Sequence, residues 1–195
     1  NDGFIDKFMG DGIMALFPEN AESALKSAIT MQQTVRKYTH HRVKSGYDPI
    51  RIGIGIHKGA LMLGTVGERE RMDGTVISDS VNLASRIEAL TKKFDANVLI
   101  SEMVFQELAD PTLYMTRVIA RVRVKGKQLP VTVLQVFDGM PDYAVELIAK
   151  TRGDFERGFL SFHEKHFPEA AEYFGRVVAA NPTDSVALMY LEKAR

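Results

Sequence analysis

Residues Arg71-Met-Asp-Gly-Thr-Val-Ile-Ser-Asp-Ser-Val-Asn-Leu-Ala-Ser-Arg86 set an amide and a guanidinium four positions apart, just inside a helix start. Four residues is slightly more than one helical turn, so Asn82 and Arg86 share one face. Val81, Ala84, Ile87 and Leu90 mark the opposite face, which is expected to be buried. Ser78 or Asp79 is expected to cap the helix, which runs to about Phe94. The exposed polar pair either has the geometry for holding a phosphate or is a solvated helix face.

Working outward, Phe4-Ile-Asp-Lys7-Phe-Met-Gly10-Asp11-Gly-Ile-Met-Ala-Leu-Phe17 reads as two short apolar runs broken by Gly-Asp-Gly. This predicts a β-hairpin with a carboxylate at its tip. Such a carboxylate serves either the turn itself or a hard divalent cation shared with phosphates. Lys7 sits one strand-length away.

Between the two motifs, Ala24, Leu25, Ala28, Ile29, Met31 and Val35 recur at helical spacing, predicting an amphipathic helix from Asn20 to about Tyr38. Ile50, Ile52, Ile54 and Ile56 then alternate with Arg51, Gly53 and Gly55, the period of a strand with one nearly bare face. Bare glycine admits another backbone or a ligand. Leu61 to Val66 continues as a strand and Glu68 to Asp73 as a charged loop. Further strands are expected at Asn97 to Ile100, Arg117 to Val124 and Val131 to Phe137, the last two closing a hairpin through Lys125-Gly-Lys127-Gln-Leu-Pro130. Hairpins mixed with helices, without strict alternation, indicate an α+β sandwich with helices on a mostly antiparallel sheet.

The pair Lys7…Gly10-Asp11 and Thr75…Val81-Asn82-Leu-Ala-Ser-Arg86 resembles the class III nucleotidyl cyclase catalytic domain, as does Gly53-Ile-Gly-Ile-His57-Lys-Gly59 followed by Gly64-Thr-Val-Gly67. The similarity runs from about Gly3 to about Asp138 and implies that family's ferredoxin-like core. It also implies an adenylyl cyclase, which joins the ribose 3′-oxygen of ATP to the α-phosphorus and releases pyrophosphate. On the resemblance, Asp11 is the second of two aspartates that hold two Mg2+ or Mn2+ ions; the first belongs to an earlier strand. The chain starts without methionine, so that strand is expected upstream and the segment alone is expected to turn over ATP weakly or not at all.

The resemblance likewise implies that Arg86 stabilises charge on the α-phosphate, that Asn82 orients the ribose, and that Lys7 and Thr75 select the purine. Lysine can donate to adenine N1, whereas guanine presents a donor there. The Thr75 hydroxyl can accept from the adenine amino group, although aspartate is commoner at that position. Arg69, or its neighbour Arg71, together with Lys125 and Lys127, falls where the family places triphosphate-binding cations. The family works as a homodimer with two composite sites. His57, without a spaced partner, reads as structural.

Composition bounds the rest. The 195 residues, 45% hydrophobic and 26% charged, allow one sizeable core with a small appended module. Lys+Arg and Asp+Glu total 25 each, so no global field attracts nucleic acid or an anionic membrane. No nucleic-acid partner and no membrane contact from this segment are expected, and any anion binding must be local. Cysteine is absent, leaving carboxylates and imidazoles as metal ligands, in keeping with a cytoplasmic location. No apolar run approaches ~18 residues, although the parent protein could still carry an anchor.

Domain boundaries are expected at 1–140 for the cyclase-like domain and 141–195 for a helical extension. In the extension, Phe155-Glu-Arg-Gly158, Phe167-Pro-Glu-Ala170-Ala-Glu-Tyr-Phe174 and Ala179-Ala-Asn-Pro182 resemble one tetratricopeptide repeat. A third helix is expected from Ser185 to Arg195. A lone repeat cannot bury its own apolar face, so the extension either packs on the core or binds a protein partner. Three other functions remain open at this point: a guanylyl cyclase, disfavoured by Lys7; a non-catalytic nucleotide-binding or dimerisation module; and an interaction module built on a cyclase scaffold.

Overall fold

The structure is a computed structural model that describes residues 2–66, 73–77, 79–123 and 130–195. The chain opens with a hairpin, β1 (Phe4–Met9) and β2 (Gly12–Leu16), and enters α1 (Ala21–Lys44). The Asn20 side chain caps α1 by accepting from Ser23 N at 2.7 Å. Next come β3 (Ile54–Ile56), a second hairpin of β4 (Met62–Val66) and β5 (Asp73–Ile77), and α2 (Asp79–Phe94). Then follow β6 (Val98–Ser101), a short α3 (Glu102–Gln106), β7 (Thr116–Val122) and β8 (Val131–Val136). Three helices close the chain: α4 (Asp142–His163), α5 (Phe167–Ala180) and α6 (Ser185–Ala194).

The central sheet has the order β3-β6-β8-β7, parallel between β3 and β6 and antiparallel elsewhere. Its two middle strands are covered on both sides, which is why Val98-Leu-Ile reads as a continuous apolar run. Alternate residues feed two cores. Val98, Ile100, Leu134 and Val136 face Leu25 and Ala28 of α1 and Val104 of α3. Leu99, Ile119, Val131 and Val133 join Leu83 and Ile87 of α2 with Phe155, Phe174, Val186 and Tyr190 of the C-terminal helices.

The C-terminal helices therefore pack on the sheet and share its core. Between α4 and α5, Gly158 lies against the Phe174 ring, where an added Cβ would sit 3.2 Å from three ring carbons. Phe174 in turn stacks on Tyr190 of α6 at 5.1 Å. Three polar ties join α6 to the sheet side. Tyr190 Oη donates to the Ile119 carbonyl at 2.8 Å, Ser185 Oγ donates to the Phe94 carbonyl at 2.7 Å, and buried Arg117 makes a two-pronged pair with Asp184 at 2.6 and 2.8 Å. Gln135 Oε1 accepts two more guanidinium bonds, and the Phe155 ring lies 3.9 Å below the guanidinium carbon.

Burial pushes the Tyr190 phenol up to about 12. A phenol that ionises near 10 when unfolded but near 12 when folded keeps the folded state favoured below pH 10 and loses that contribution as pH rises towards 12. Urea denaturation is expected to show stability falling across that window, with a shallower fall in Tyr190→Phe. An unchanged slope would remove Tyr190 as its source.

Several sequence expectations are corrected. Helix α1 runs six residues past Tyr38, to Lys44. The alternating isoleucines form a ladder at Ile54–Ile56 alone; Ile50 and Ile52 instead give their carbonyls to Thr39 Oγ1 and Gln32 Nε2 of α1, at 2.8 and 2.9 Å. The residues after the charged loop form β5, paired antiparallel with β4. On α2 the buried residues are Leu83, Ile87, Thr91 and Phe94, while Val81, Ala84 and Leu90 are half-buried.

Candidate nucleotide site

The tip of the first hairpin is Gly10-Asp11. Gly10 has a φ of 64°, the left-handed conformation that a two-residue loop asks of glycine. This leaves Asp11 exposed at the turn, its carboxylate clear of the strands. The ladder of β1 and β2 is regular from Lys7↔Met14 to Met9↔Gly12, but slips between Ile5 and Lys7. Asp6 is the extra residue of this bulge. Neighbours on a regular strand point to opposite faces; the bulge relaxes that rule and lets Asp6 and Lys7 meet.

Lys7 Nζ lies 3.4 Å from Asp6 Oδ2, with the lysine side chain 36% exposed and the aspartate 12%. That oxygen is buried and accepts no hydrogen bond among the described residues. The separation gives ion-pair attraction but is longer than a good charge-assisted hydrogen bond. Lys7 is thus held near the strand with donors still free for a ligand. Asp6 is a neighbour that sequence reading missed, because its placement depends on a register slip that no spacing encodes.

The second group of residues stands on α2. Asn82 and Arg86 are both exposed, on the side away from Leu83 and Ile87. Gly55 of β3 determines how closely the helix lies on the sheet. A Cβ there would come within 2.2 Å of Glu88 N and 2.7 Å of the Ala84 carbonyl, so the α2 backbone rests directly on glycine. Gly53 lies instead against the Thr91 side chain, and Gly59 against that of Ser80. The bare strand face expected from the sequence is filled by the helix that carries Asn82 and Arg86, through its backbone at Gly55 and the Thr91 side chain at Gly53.

His57 Nδ1 lies 2.9 Å from the Oγ of buried Ser101, a part-buried contact just past the end of β3. Thr75 falls on β5, opposite Gly64 of β4. Arg69, Arg71, Lys125, Lys127 and Ser78 lie outside the described residues. Among the described residues, no hydrogen bond or ion pair links Lys7 or Asp11 to Asn82 or Arg86, which stand on separate elements.

For a divalent cation, Asp11 is a ligand of the right chemistry, a hard oxygen on an exposed turn. Among the described residues no group of three or more acidic, histidine or cysteine side chains surrounds a common point. One carboxylate fits the role of a partial ligand and does not complete a metal site.

The described hairpin also exposes Phe4, Ile5, Phe8, Met9 and Ile13, with Phe8 at 69%. Exposed apolar patches of this kind mark interaction surfaces.

Comparison with known proteins identifies the family of the chain. The profile of the adenylate and guanylate cyclase catalytic domain matches residues 6–137. An adenylate cyclase of Anabaena cylindrica is 47% identical over 140 residues, covering 69% of this chain and 28% of that protein. A terminal-differentiation-specific adenylate cyclase of Dictyostelium discoideum is 32% identical over 197 residues, covering 98% of this chain and 9% of that protein, so its similarity extends through the C-terminal helices. The chain thus spans under a third of the length of either relative. Among solved structures, the adenylyl cyclase CyaB from P. aeruginosa superposes with a TM-score of 0.60 at 31% identity, over 72% of this chain and 74% of that one. A guanylyl cyclase superposes almost as well, with a TM-score of 0.57 at 30% identity over 72% and 73%. The fold therefore does not discriminate the purine.

Proposed function

The chain belongs to the adenylate and guanylate cyclase catalytic-domain family, and from that premise we propose that it is the catalytic domain of an adenylyl cyclase. It converts ATP to 3′,5′-cyclic AMP and pyrophosphate in the cytoplasm, as an intracellular signal. The single observation that carries the choice of purine is Lys7, an ammonium donor held by Asp6 on the strand that leads to Asp11. Adenine N1 accepts from such a donor, whereas the N1–H of guanine would be left facing a second donor. Thr75 on β5 is the companion selector, accepting from the adenine amino group.

In the reaction the ribose 3′-oxygen attacks the α-phosphorus, the bond from that phosphorus to the bridging oxygen of pyrophosphate breaks, and the hydroxyl proton passes to solvent. Asn82 holds the ribose so that the 3′-oxygen stays in line. Arg86 donates to the α-phosphate oxygens, where charge grows in the transition state. Arg69, Lys125 and Lys127 bind the outer phosphates. Asp11 contributes a carboxylate towards holding Mg2+ or Mn2+; such ions, when bound, lower the pKa of the attacking hydroxyl and neutralise the leaving group. The remaining metal ligands are assigned to residues outside those described.

The catalytic unit is a homodimer in which Asp11 of one chain works with Lys7, Asn82 and Arg86 of the other. Two observations support this reading: among the described residues no hydrogen bond or ion pair links Lys7 or Asp11 to Asn82 or Arg86, and the hairpin exposes a run of large apolar side chains.

Turnover of ATP and GTP by the full-length protein tests the purine assignment. Wild type is expected to prefer ATP in kcat/KM. Lys7→Glu combined with Thr75→Cys is expected to lower ATP use and raise relative GTP use, since an acceptor replaces the donor. An unchanged ATP to GTP ratio would remove Lys7 from the purine pocket.

A further inference from the structure

The chain's balanced charge conceals a sharp local segregation along α1. After Glu22 α1 carries no carboxylate side chain, while Lys26, Arg36, Lys37, Arg42 and Lys44 fall on it along with His40 and His41; further along, Arg51 and Lys58 are paired with Asp95 and Glu107. The first half of α1 is anchored, with Ala24, Leu25, Ala28 and Gln32 buried. Beyond Gln32 no α1 residue is buried; Val35, Thr39 and Arg42 are half-buried and the others are exposed. The last three turns stand out from the body as a basic arm. Two polar ties steady the arm: Thr39 Oγ1 to the Ile50 carbonyl at 2.8 Å and Arg42 Nε to the Asp48 carbonyl at 3.1 Å.

At 100° per residue, Arg36, Lys37, His40, His41 and Lys44 fall within one stripe, and 36 to 44 spans about 12 Å of helix. No carboxylate is interleaved with them. The ion pair of α1 among the described residues is Lys26 with Glu22, at its other end. Favourable interaction with the helix dipole accounts for cations in the last turn, Arg42 and Lys44, but not for Arg36 and Lys37 two turns earlier.

Apolar character accompanies the charge. Tyr38 is 54% exposed, Val43 54% and Tyr47 62%, and the Arg42 guanidinium lies 5.9 Å and 5.3 Å from the two tyrosine ring centres. Tyrosines with an apolar body and a polar tip suit the boundary between headgroup and hydrocarbon. A helix that fits a protein groove instead presents large apolar anchors at successive turns of one outward face. On α1 Met31, Val35 and Tyr38 share one side, but Val35 is half-buried and the next turn of that side is Arg42, so the row stops where the arm's charge begins; Val43 points to a different side.

We propose that the C-terminal half of α1 is a peripheral docking surface for an anionic lipid membrane, with Arg36, Lys37 and Lys44 meeting the headgroups and Tyr38 and Tyr47 at their edge. The contact is peripheral, since among the described residues no helix is long and apolar enough to cross a membrane. The proposal replaces the expectation, drawn from the chain-wide balance, that this segment makes no membrane contact.

Co-sedimentation of the purified chain with vesicles tests it. Binding is expected with phosphatidylcholine mixed with phosphatidylserine, not with phosphatidylcholine alone, and it should weaken as salt is raised. A basic residue near such a surface is worth about fivefold in affinity, so the Arg36→Gln, Lys37→Gln, Lys44→Gln triple variant should bind on the order of 100-fold more weakly. Arg36→Lys with Lys37→Arg, which conserves charge, should bind as wild type does. Circular dichroism establishes that each variant is folded. No preference for the anionic vesicles, or equal binding by the triple variant, would overturn the proposal. So would capture by poly-glutamate without vesicle binding, which would assign the arm to an acidic protein partner instead.

Discussion

Arg86→Ala is expected to lower kcat for cyclic AMP formation by about 100- to 1,000-fold in the full-length protein, the usual loss when one group stabilising transition-state charge is removed. The residue is exposed on α2, and its side chain is not part of the cores described above, so the folded stability should scarcely change. KM for ATP should move far less than kcat, because Arg86 is assigned to charge that grows only as the 3′-oxygen attacks. A rise in KM with kcat intact would instead assign Arg86 to ground-state triphosphate binding. Asp11→Ala should be equally inactive, with a loss that excess Mn2+ does not fully repair.

Asp184→Ala should produce the largest loss of stability. The substitution leaves the Arg117 guanidinium buried without its two carboxylate bonds and strips α6 of the oxygen that accepts from Ala187 N at 3.1 Å. Breaking a buried pair from one side costs about 3–5 kcal/mol. For a chain of this length that corresponds to a fall in Tm on the order of 10 °C. Removing both charges, as Arg117→Met with Asp184→Leu, should recover much of the loss, since no charge then remains buried alone. A double variant no more stable than Asp184→Ala would show that the pair is not the cause. Thermal unfolding followed by circular dichroism distinguishes these outcomes.

Much of this architecture is legible in the sequence, for identifiable reasons. The first hairpin follows from Gly10-Asp11 between two apolar runs, because left-handed backbone and a tight turn leave few alternatives. Gly53 and Gly55 point to a close approach, and what approaches is α2, with its backbone at Gly55 and the Thr91 side chain at Gly53. Other features depend on partners distant in sequence. Strand β5 is five residues opening on Asp-Gly, and it exists by pairing with β4. The end of α1 carries no apolar stripe to announce it, since no core covers that stretch. Arg117 and Asp184 are 67 positions apart, and each alone reads as surface charge. Asp6 joins Lys7 only through a bulge.

The candidate site divides along the same line. Asn82 and Arg86 share a helix face by spacing alone, and the tip position of Asp11 follows from its turn. Their assignment to one catalytic centre comes from family membership, since within one chain they stand on separate elements. A site built from two chains is invisible to any reading of one.

Mixing inactive variants tests that shared site most directly. Asp11→Ala and Arg86→Ala, each inactive alone, are combined under conditions where subunit exchange is verified independently, and cyclic AMP formation is measured. Random exchange makes about half of the dimers mixed, each with one intact site of two, so about a quarter of wild-type activity should return. No recovery would place Asp11 and Arg86 in the same chain's site and contradict the homodimeric cyclase.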